Sequence, residues 1–475
     1  MESRNSITSN SEYEGSSSNE EYEDYKVDGY HPVVLGEHYN TGKYQVLQKL
    51  GWGYFSTVWL VKDKIVPGYF ALKILKSKKS YTEAAQDELE ILKVLKLKNE
   101  NDENMYVVKY VDSFFHFGIH GKHQCICFEI MGPNLLDLIQ HYEDRDELMP
   151  IWLVKLITKQ ILKGLDYTHR ICNVIHTDIK PENIMIELEE DSKEKFISFI
   201  TQFKKKPTSM KFLKKLQSSN SSKNKAKYAK KKAKKAKARL SAGGTELKDS
   251  PASQHYQEEE ESKENPVITS KFEDLSIKKE DNDEEEDESD PKILKWKNLS
   301  IPINPKLQTK IVDFGNACWK DKHFTDNIQT REYRSPEAII KGNYNESTDL
   351  WSLACLVFEM LTNTFLFKPK KGSTFKKNDD HLALMMETLG KIPKPFALSG
   401  SRSRDFFNKN GDLLRIKDLK AFPISSILEK DFKFDPDECR EIEDFLLPML
   451  EYDPKKRCTA EEALKSDWIN DIRLP

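Results

Sequence analysis

VIHTDIKPENIM, Val174–Met185, places a carboxylate, a lysine and a carboxamide within six residues, Asp178, Lys180 and Asn183, flanked by apolar residues. Motifs this short arise by chance, so the reading depends on what surrounds them. Downstream, VDFG at Val312–Gly315 brings a second carboxylate, Asp313, at the end of the apolar run KLQTKIVDFG, and SPE follows at Ser335–Glu337. Upstream, LGWGYFSTVWL, Leu50–Leu60, is a Gly-x-Gly-x-x-Ser-x-Val turn between two strand-like segments. A hairpin lying over nucleotide phosphates needs small residues, so that backbone amides can reach oxygen. Ser56 replaces a third glycine here, and most glycines in such a pattern only make a tight turn. FALKIL then sets Lys73 on an alternating strand, where a lone lysine ordinarily points at solvent. The next helix changes that balance. Ala84, Glu88, Ile91 and Leu95 recur at helical spacing and put Glu88 on the apolar face. A charge there needs a partner, and Lys73 is the obvious one. Glu90 lies off the stripe and is expected in solvent.

Composition sets the outer limits. Of 475 residues only 38% are hydrophobic, while 75 Lys plus Arg against 78 Asp plus Glu leave a net charge of -3. With 32% charged residues, that near-neutrality is a cancellation of segregated charge. No apolar run long enough to span a bilayer occurs, and the first residues carry neither a basic start nor an apolar segment, so a soluble intracellular protein without a membrane partner is expected. Seven Cys without a Cys-x-x-Cys pair fit reduced thiols, with no structural metal expected. Residues 1–30, rich in Ser, Glu and Asn, read as a disordered tail. From 31 to 187 strand and helix periodicities alternate, an α+β block. Residues 188–305 read as a disordered charged insert: Lys223–Arg239 holds 10 basic residues in 17, and Glu280–Asp290 holds 9 acidic in 11. Order is expected again from 306 to 475. The basic run lacks the aromatic interleaving of a nucleic-acid binder, so no specific nucleic-acid binding is expected.

Taken together and in order, these motifs resemble those of protein kinases. Within that family the chain resembles the SR-protein kinases, through GWGYFSTVWL, YTEAAQDELEILK, HTDIKPENI, GNACW and KHFTDNIQTREYRSPE. The resemblance covers Tyr30 to Leu474 apart from the insert, and it implies a bilobal protein kinase fold, with a small β-rich N-lobe and a larger helical C-lobe, split by that insert. It implies ATP and Mg²⁺, with Lys73 on the α and β phosphates paired to Glu88, and Asp313 and Asn183 as Mg²⁺ ligands. Asp178 would take or orient the substrate hydroxyl proton, Lys180 would steady the γ-phosphate, and Thr330 would bridge the two. Leu50, Gly51 and Gly53 would cover the nucleotide; Val58, Ala71 and Met185 would enclose adenine, with Phe128 as gatekeeper and Glu129 and Met131 at the hinge. For these apolar positions ordinary core packing is the competing reading.

Glu337 and Arg457 are expected as a buried ion pair, and Asp349 as an acceptor of backbone amides from the loop that holds Asp178. Thr177 stands where most kinases have Arg, which implies activity without phosphorylation of the activation segment. The resemblance also implies Arg/Ser-rich splicing factors as substrates, a monomer, and residence in cytoplasm and nucleus. Asp380 and Glu387 match two carboxylates of the family's acidic docking groove. Thr364 and Lys368 replace its neighbouring acids, and a helix cap at Asp380 with a solvated Glu387 is the plainer alternative. A proline-directed or Clk-like kinase, or a pseudokinase scaffold, are the rival readings.

Overall fold

The computed structural model describes residues 20–98, 103–202 and 302–472. A six-stranded antiparallel sheet forms the first part of the fold, in the order β1-β2-β3-β4-β6-β5. Its strands are β1 (His38–Tyr39), β2 (Tyr44–Gly53), β3 (Ser56–Asp63), β4 (Gly68–Leu75), β5 (Tyr110–Gly118) and β6 (Gly121–Glu129). Val58 faces Lys73 across β3 and β4, and Ala71 faces Phe128 across β4 and β6, so the residues expected around a nucleotide meet on neighbouring strands. Helix α1 (Lys79–Leu97) interrupts the strand order and buries Ala85, Glu88, Leu89, Ile91, Leu92 and Leu95. The apolar stripe is therefore centred on Ala85, while Ala84 is exposed; Glu88 is buried and Glu90 exposed, as the periodicity requires.

The second part is helical. It begins with α2 (Leu135–Glu143), whose first turn is closed by a reciprocal Asn134–Asp137 capping box, and α3 (Ile151–Asp166). Two short strand pairs follow: β7 (Val174–Ile175) with β10 (Cys318–Trp319), and β8 (Ile184–Glu187) with β9 (Gln308–Ile311). The long insert leaves from the end of β8 and returns at the start of β9, where Glu187 and Gln308 are register partners. The chain ends beside where it left, which is why an insert of any length fits here at small entropic cost. Later come α5 (Pro336–Ile340), α6 (Thr348–Thr362) and α7 (Lys377–Leu389). Every residue of α6 is buried, its two acids Asp349 and Glu359 included, and it forms the axis of the larger core.

Two expected boundaries shift. The structure runs from residue 20 rather than 31: Tyr25 and Tyr30 are 2% and 1% exposed, and the Lys76 ammonium lies 4.2 Å over the Tyr30 ring. Averaging over a polar tail concealed these two aromatic anchors. The expected insert likewise begins with α4 (Glu190–Gln202), which buries Phe196, Ile197 and Ile200 against Leu60, Ile130 and Leu188. Three apolar residues at helical spacing suffice to dock one helix, although the composition around them is that of a solvated segment. Residues 1–19 and 203–301, including the basic and acidic runs, lie outside the described residues. All seven cysteines are free thiols. Among the described residues no helix is long and apolar enough to cross a membrane.

Candidate active site

Lys73 extends from β4 to meet two carboxylates from different parts of the chain. Its Nζ lies 2.8 Å from Glu88 Oε1 on α1 and 3.1 Å from Asp313 Oδ1, which follows β9. Burial alone would lower the lysine's affinity for its proton, but Asp313 and Glu88 together raise it above the ordinary value. Glu88 is 3% exposed and its carboxyl is raised by burial, whereas Asp313 is 47% exposed and is held below its ordinary value by Lys73. Asp313 is therefore an ionised carboxylate that still faces outward. Its backbone is left-handed, with φ 61°, an uncommon conformation for an aspartate that the tertiary structure has to hold.

Asp178 is the second centre. Its Oδ1 accepts the Thr330 backbone N–H at 3.1 Å and the Thr330 hydroxyl at 2.7 Å, and its Oδ2 lies 2.9 Å from Lys180 Nζ. Lys180 also donates to the Thr330 hydroxyl oxygen at 3.1 Å. Asn183 donates its amide N–H to the Asp178 carbonyl at 2.8 Å, so the amide oxygen is the atom that could face a cation. The two centres are joined by His176. Its Nε2 donates to the Val312 carbonyl at 2.9 Å, and its Nδ1 accepts the Asp178 N–H at 3.2 Å, an assignment fixed because a carbonyl can only accept. Beneath them Asp349, fully buried in α6, accepts the backbone N–H groups of His176 and Thr177 and faces His169 Nε2, each at 2.8 Å. Those contacts stabilise the loop, including Thr177 at φ 66°.

The apolar positions divide in a way that core packing alone does not require. Val58, Ala71, Phe128 and Met185 are only half-buried, whereas Trp59, Leu60, Leu72, Cys127, Ile184 and Ile186 beside them in sequence are fully enclosed. The partly open set is the surface that a flat apolar group would cover. Leu50 packs toward the cluster under α4, with Leu47 and Tyr69. The Glu129 N–H donates to the Lys109 carbonyl at 3.1 Å and its carboxylate binds Lys310, while Met131 is 6% exposed. Gly51 and Gly53 occupy the open end of β2, where a Cβ at either would meet nothing within 4 Å. Close approach of an outside group is thus unobstructed.

The structure adds a group the motif search passed over. Glu359, the second acid of α6 after Asp349, accepts the Tyr333 hydroxyl at 2.6 Å and is pushed up to about 7 by burial, with Glu182, Glu332 and Glu143 adding to the shift. Glu182 belongs to the opening stretch, beside Asn183. The signal was the one that singled out Glu88, a carboxylate on an apolar face. Asp380 and Glu387 lie on α7 instead, away from this group in sequence, and each holds a loop amide: Asp380 accepts the Lys370 N–H at 2.7 Å and Glu387 the Lys420 N–H at 3.0 Å. The activation segment is fixed by charged and neutral groups together, the Arg334 guanidinium donating to the Gln329 carbonyl at 2.7 Å. Gln329 accepts the N–H and hydroxyl of Ser335, each at 2.9 Å, and Thr177 donates its hydroxyl to the Asn316 carbonyl at 2.8 Å.

Comparison with known proteins agrees with this geometry. A family model described as "Protein kinase domain" matches residues 44–204 and 294–469. The chain is similar to Protein kinase dsk1 of Schizosaccharomyces pombe, at 38% identity over 96% of this chain and 86% of that protein. It is similar to Serine/threonine-protein kinase SRPK of Physarum polycephalum, at 39% identity over 96% of this chain and 92% of the other. SRSF protein kinase 3 of Homo sapiens is 35% identical over 95% of this chain and 90% of its own length.

Proposed function

The chain belongs to the protein kinase family and, within it, to the SR-protein kinases, and from that premise we propose that it moves the γ-phosphoryl group of ATP onto serines of Arg/Ser-rich proteins. It is a serine/threonine kinase, so ATP is its phosphoryl donor. In the transfer the bond between the γ-phosphorus and the bridging oxygen to the β-phosphate breaks, a bond to the substrate oxygen forms, and the hydroxyl proton leaves. Asp178 is positioned for that proton: Thr330 and Lys180 fix its carboxylate within hydrogen-bond distance of both. Lys180 offsets negative charge beside it, and Lys73, steadied by Glu88, does the same at the donor phosphates.

Asp313 and Asn183 offer a charged and a neutral oxygen, the hard donors that Mg²⁺ prefers, and Asp313 is ionised and outward-facing. They would hold Mg²⁺, which when bound neutralises charge on the phosphate oxygens. The half-buried faces of Val58, Ala71, Phe128 and Met185 suit adenine, with Met131 at the hinge and Gly51, Gly53 and Leu50 at the phosphate end.

One observation carries the substrate reading. Burial holds the proton of Glu359 toward neutrality and the negative charges of Glu182, Glu332 and Glu143 add to it, so a guanidinium placed among them would relieve the crowding. Arginines flanking the target serine are the complementary chemistry. Asp380 and Glu387 would add a weaker docking contact through the carboxylate oxygens not used on backbone amides. Splicing factors as substrates imply work in the cytoplasm and nucleus. The deciding experiment compares purified enzyme on an Arg-Ser repeat peptide and on a Ser-Pro peptide without arginine, with Asp178→Asn as blank. Higher kcat/KM on the Arg-Ser peptide supports the reading; preference for Ser-Pro would transfer it to the proline-directed kinases, and no turnover on either would make the chain a scaffold.

A further inference from the structure

His31, Glu37 and His116 form a second cluster, outside the site above, whose ligand-capable atoms all lie within 4.8 Å of one another. Two belong to the segment just before β1 and the third to β5. His31 is 5% exposed, and neither of its ring nitrogens has a hydrogen-bond partner among the described residues. Folded proteins seldom leave a buried polar side chain in that condition without a use for it. The His31 ring is 4.4 Å from that of His116 and 5.2 Å from that of His123. Its Nε2 is 3.9 Å from Glu37 Oε1, beyond hydrogen-bond distance. The other carboxylate oxygen is committed, accepting the Val34 N–H at 3.1 Å and the Tyr39 hydroxyl at 3.0 Å, so Glu37 is held with Oε1 toward the imidazole. Gly118 makes room for this arrangement: a Cβ there would stand 2.3 Å from His31 Nδ1.

We propose that His31, Glu37 and His116 bind a divalent transition-metal ion, Zn²⁺ by donor type, which clips the segment preceding β1 to the β5–β6 hairpin. Two imidazoles and one carboxylate are a recurrent three-ligand set for zinc, whereas Mg²⁺ and Ca²⁺ favour oxygen throughout. Burial, reinforced by the neighbouring His31, holds His116 down to about 4, so at neutral pH it offers a lone pair rather than a charge. With bonds near 2 Å the ligand atoms would close to about 3.3 Å apart, a movement that side-chain rotation can supply. Tyr39 and Val34 already perform the outer role, orienting the carboxylate. His123 is the nearest further donor: its Nδ1 donates to the Leu75 carbonyl at 2.8 Å, which leaves Nε2 as a buried lone pair without a partner among the described residues. The clip would act next to the glycine-rich turn, since Tyr30, adjacent to His31, donates its hydroxyl to the Gly53 carbonyl at 2.7 Å.

The test uses the full chain, stripped with a chelator and titrated with Zn²⁺ by calorimetry, with Co²⁺ absorption as a second probe. One ion per chain is expected, with a rise in melting temperature. His116→Gln should abolish that binding while leaving the melting temperature of the metal-free protein unchanged, as should Glu37→Gln. Tyr39→Phe, which removes only the orienting hydroxyl, should weaken it about 10- to 100-fold. The Co²⁺ spectrum should show ligand-field bands without thiolate charge transfer. Absence of a stoichiometric site, undiminished binding in both His116→Gln and Glu37→Gln, or a thiolate band that assigns the ion to cysteines would each overturn the proposal.

Discussion

Two buried ion pairs in this molecule have the same chemistry and opposite finish. Arg457 and Glu337 are joined by two parallel bonds, 2.7 and 2.9 Å, at 0% and 1% exposure, and the guanidinium also donates to the carbonyls of Glu451, Ser347 and Tyr452. The fork is saturated by the protein itself. Glu88 is sequestered almost as fully, at 3% exposure, but Lys73 is 14% exposed and the third member, Asp313, is half exposed with its charge intact. A closed pair contributes to folding, while an open one retains an interaction for a group that arrives later. Burial of charge therefore does not distinguish structure from function; what distinguishes them is whether the last oxygen has a protein partner.

Arg457→Ala tests the closed pair and should have the largest effect. It strands Glu337 without a counter-charge, and a loss of about 3–5 kcal/mol in unfolding free energy is expected by urea denaturation. A loss below about 1 kcal/mol would mean that the pair is not the anchor its geometry suggests. Asp313→Asn tests the open one. Turnover should fall about 10²- to 10³-fold while the urea midpoint barely moves, because Lys73 keeps Glu88. Equal damage to stability and turnover would erase the contrast between the pairs.

Glu359 is an intermediate case, a buried acid whose carboxylate has a neutral hydroxyl as its hydrogen-bond partner among the described residues. Its folded-state value of about 7 lies above the ordinary 4.5, so the folded protein binds the extra proton. The associated stability is present below about pH 4.5 and is lost as pH rises to about 7. Glu359→Gln should remove that loss, leaving the variant more stable than the parent at pH 8 by on the order of 1–3 kcal/mol and little different at pH 4.5. The same change should raise KM for Arg-Ser peptides. A variant with the parent's pH profile would show that Glu359 titrates normally. The smallest effect is expected from reversing Asp380 and Glu387 to Lys. Each contact is worth about 0.2–1 kcal/mol, so KM for long Arg-rich substrates at low salt should rise only several-fold, with kcat on short peptides unchanged. An unaltered KM would leave both as amide acceptors of α7.

The sequence by itself determined the family, the fold class and the pairing of Lys73 with Glu88. Each depends on local order: motifs in a fixed succession, and a carboxylate at helical spacing on an apolar face. Asp349 and the Glu337–Arg457 pair were also legible, through the resemblance. Local averaging failed where a few apolar residues sit in polar surroundings, as at Tyr25 and Tyr30 and again at Phe196, Ile197 and Ile200. It failed also where a function depends on residues distant in the chain. Glu182, Glu332 and Glu359 influence one another only because the activation segment folds onto α6. His31 and His116 meet only because the chain before β1 crosses the β5–β6 hairpin, so a search for metal ligands among the cysteines could not find them. Periodicity and motif order are properties of neighbours along the chain, while charge crowding and ligand convergence depend on distances that only the folded chain sets.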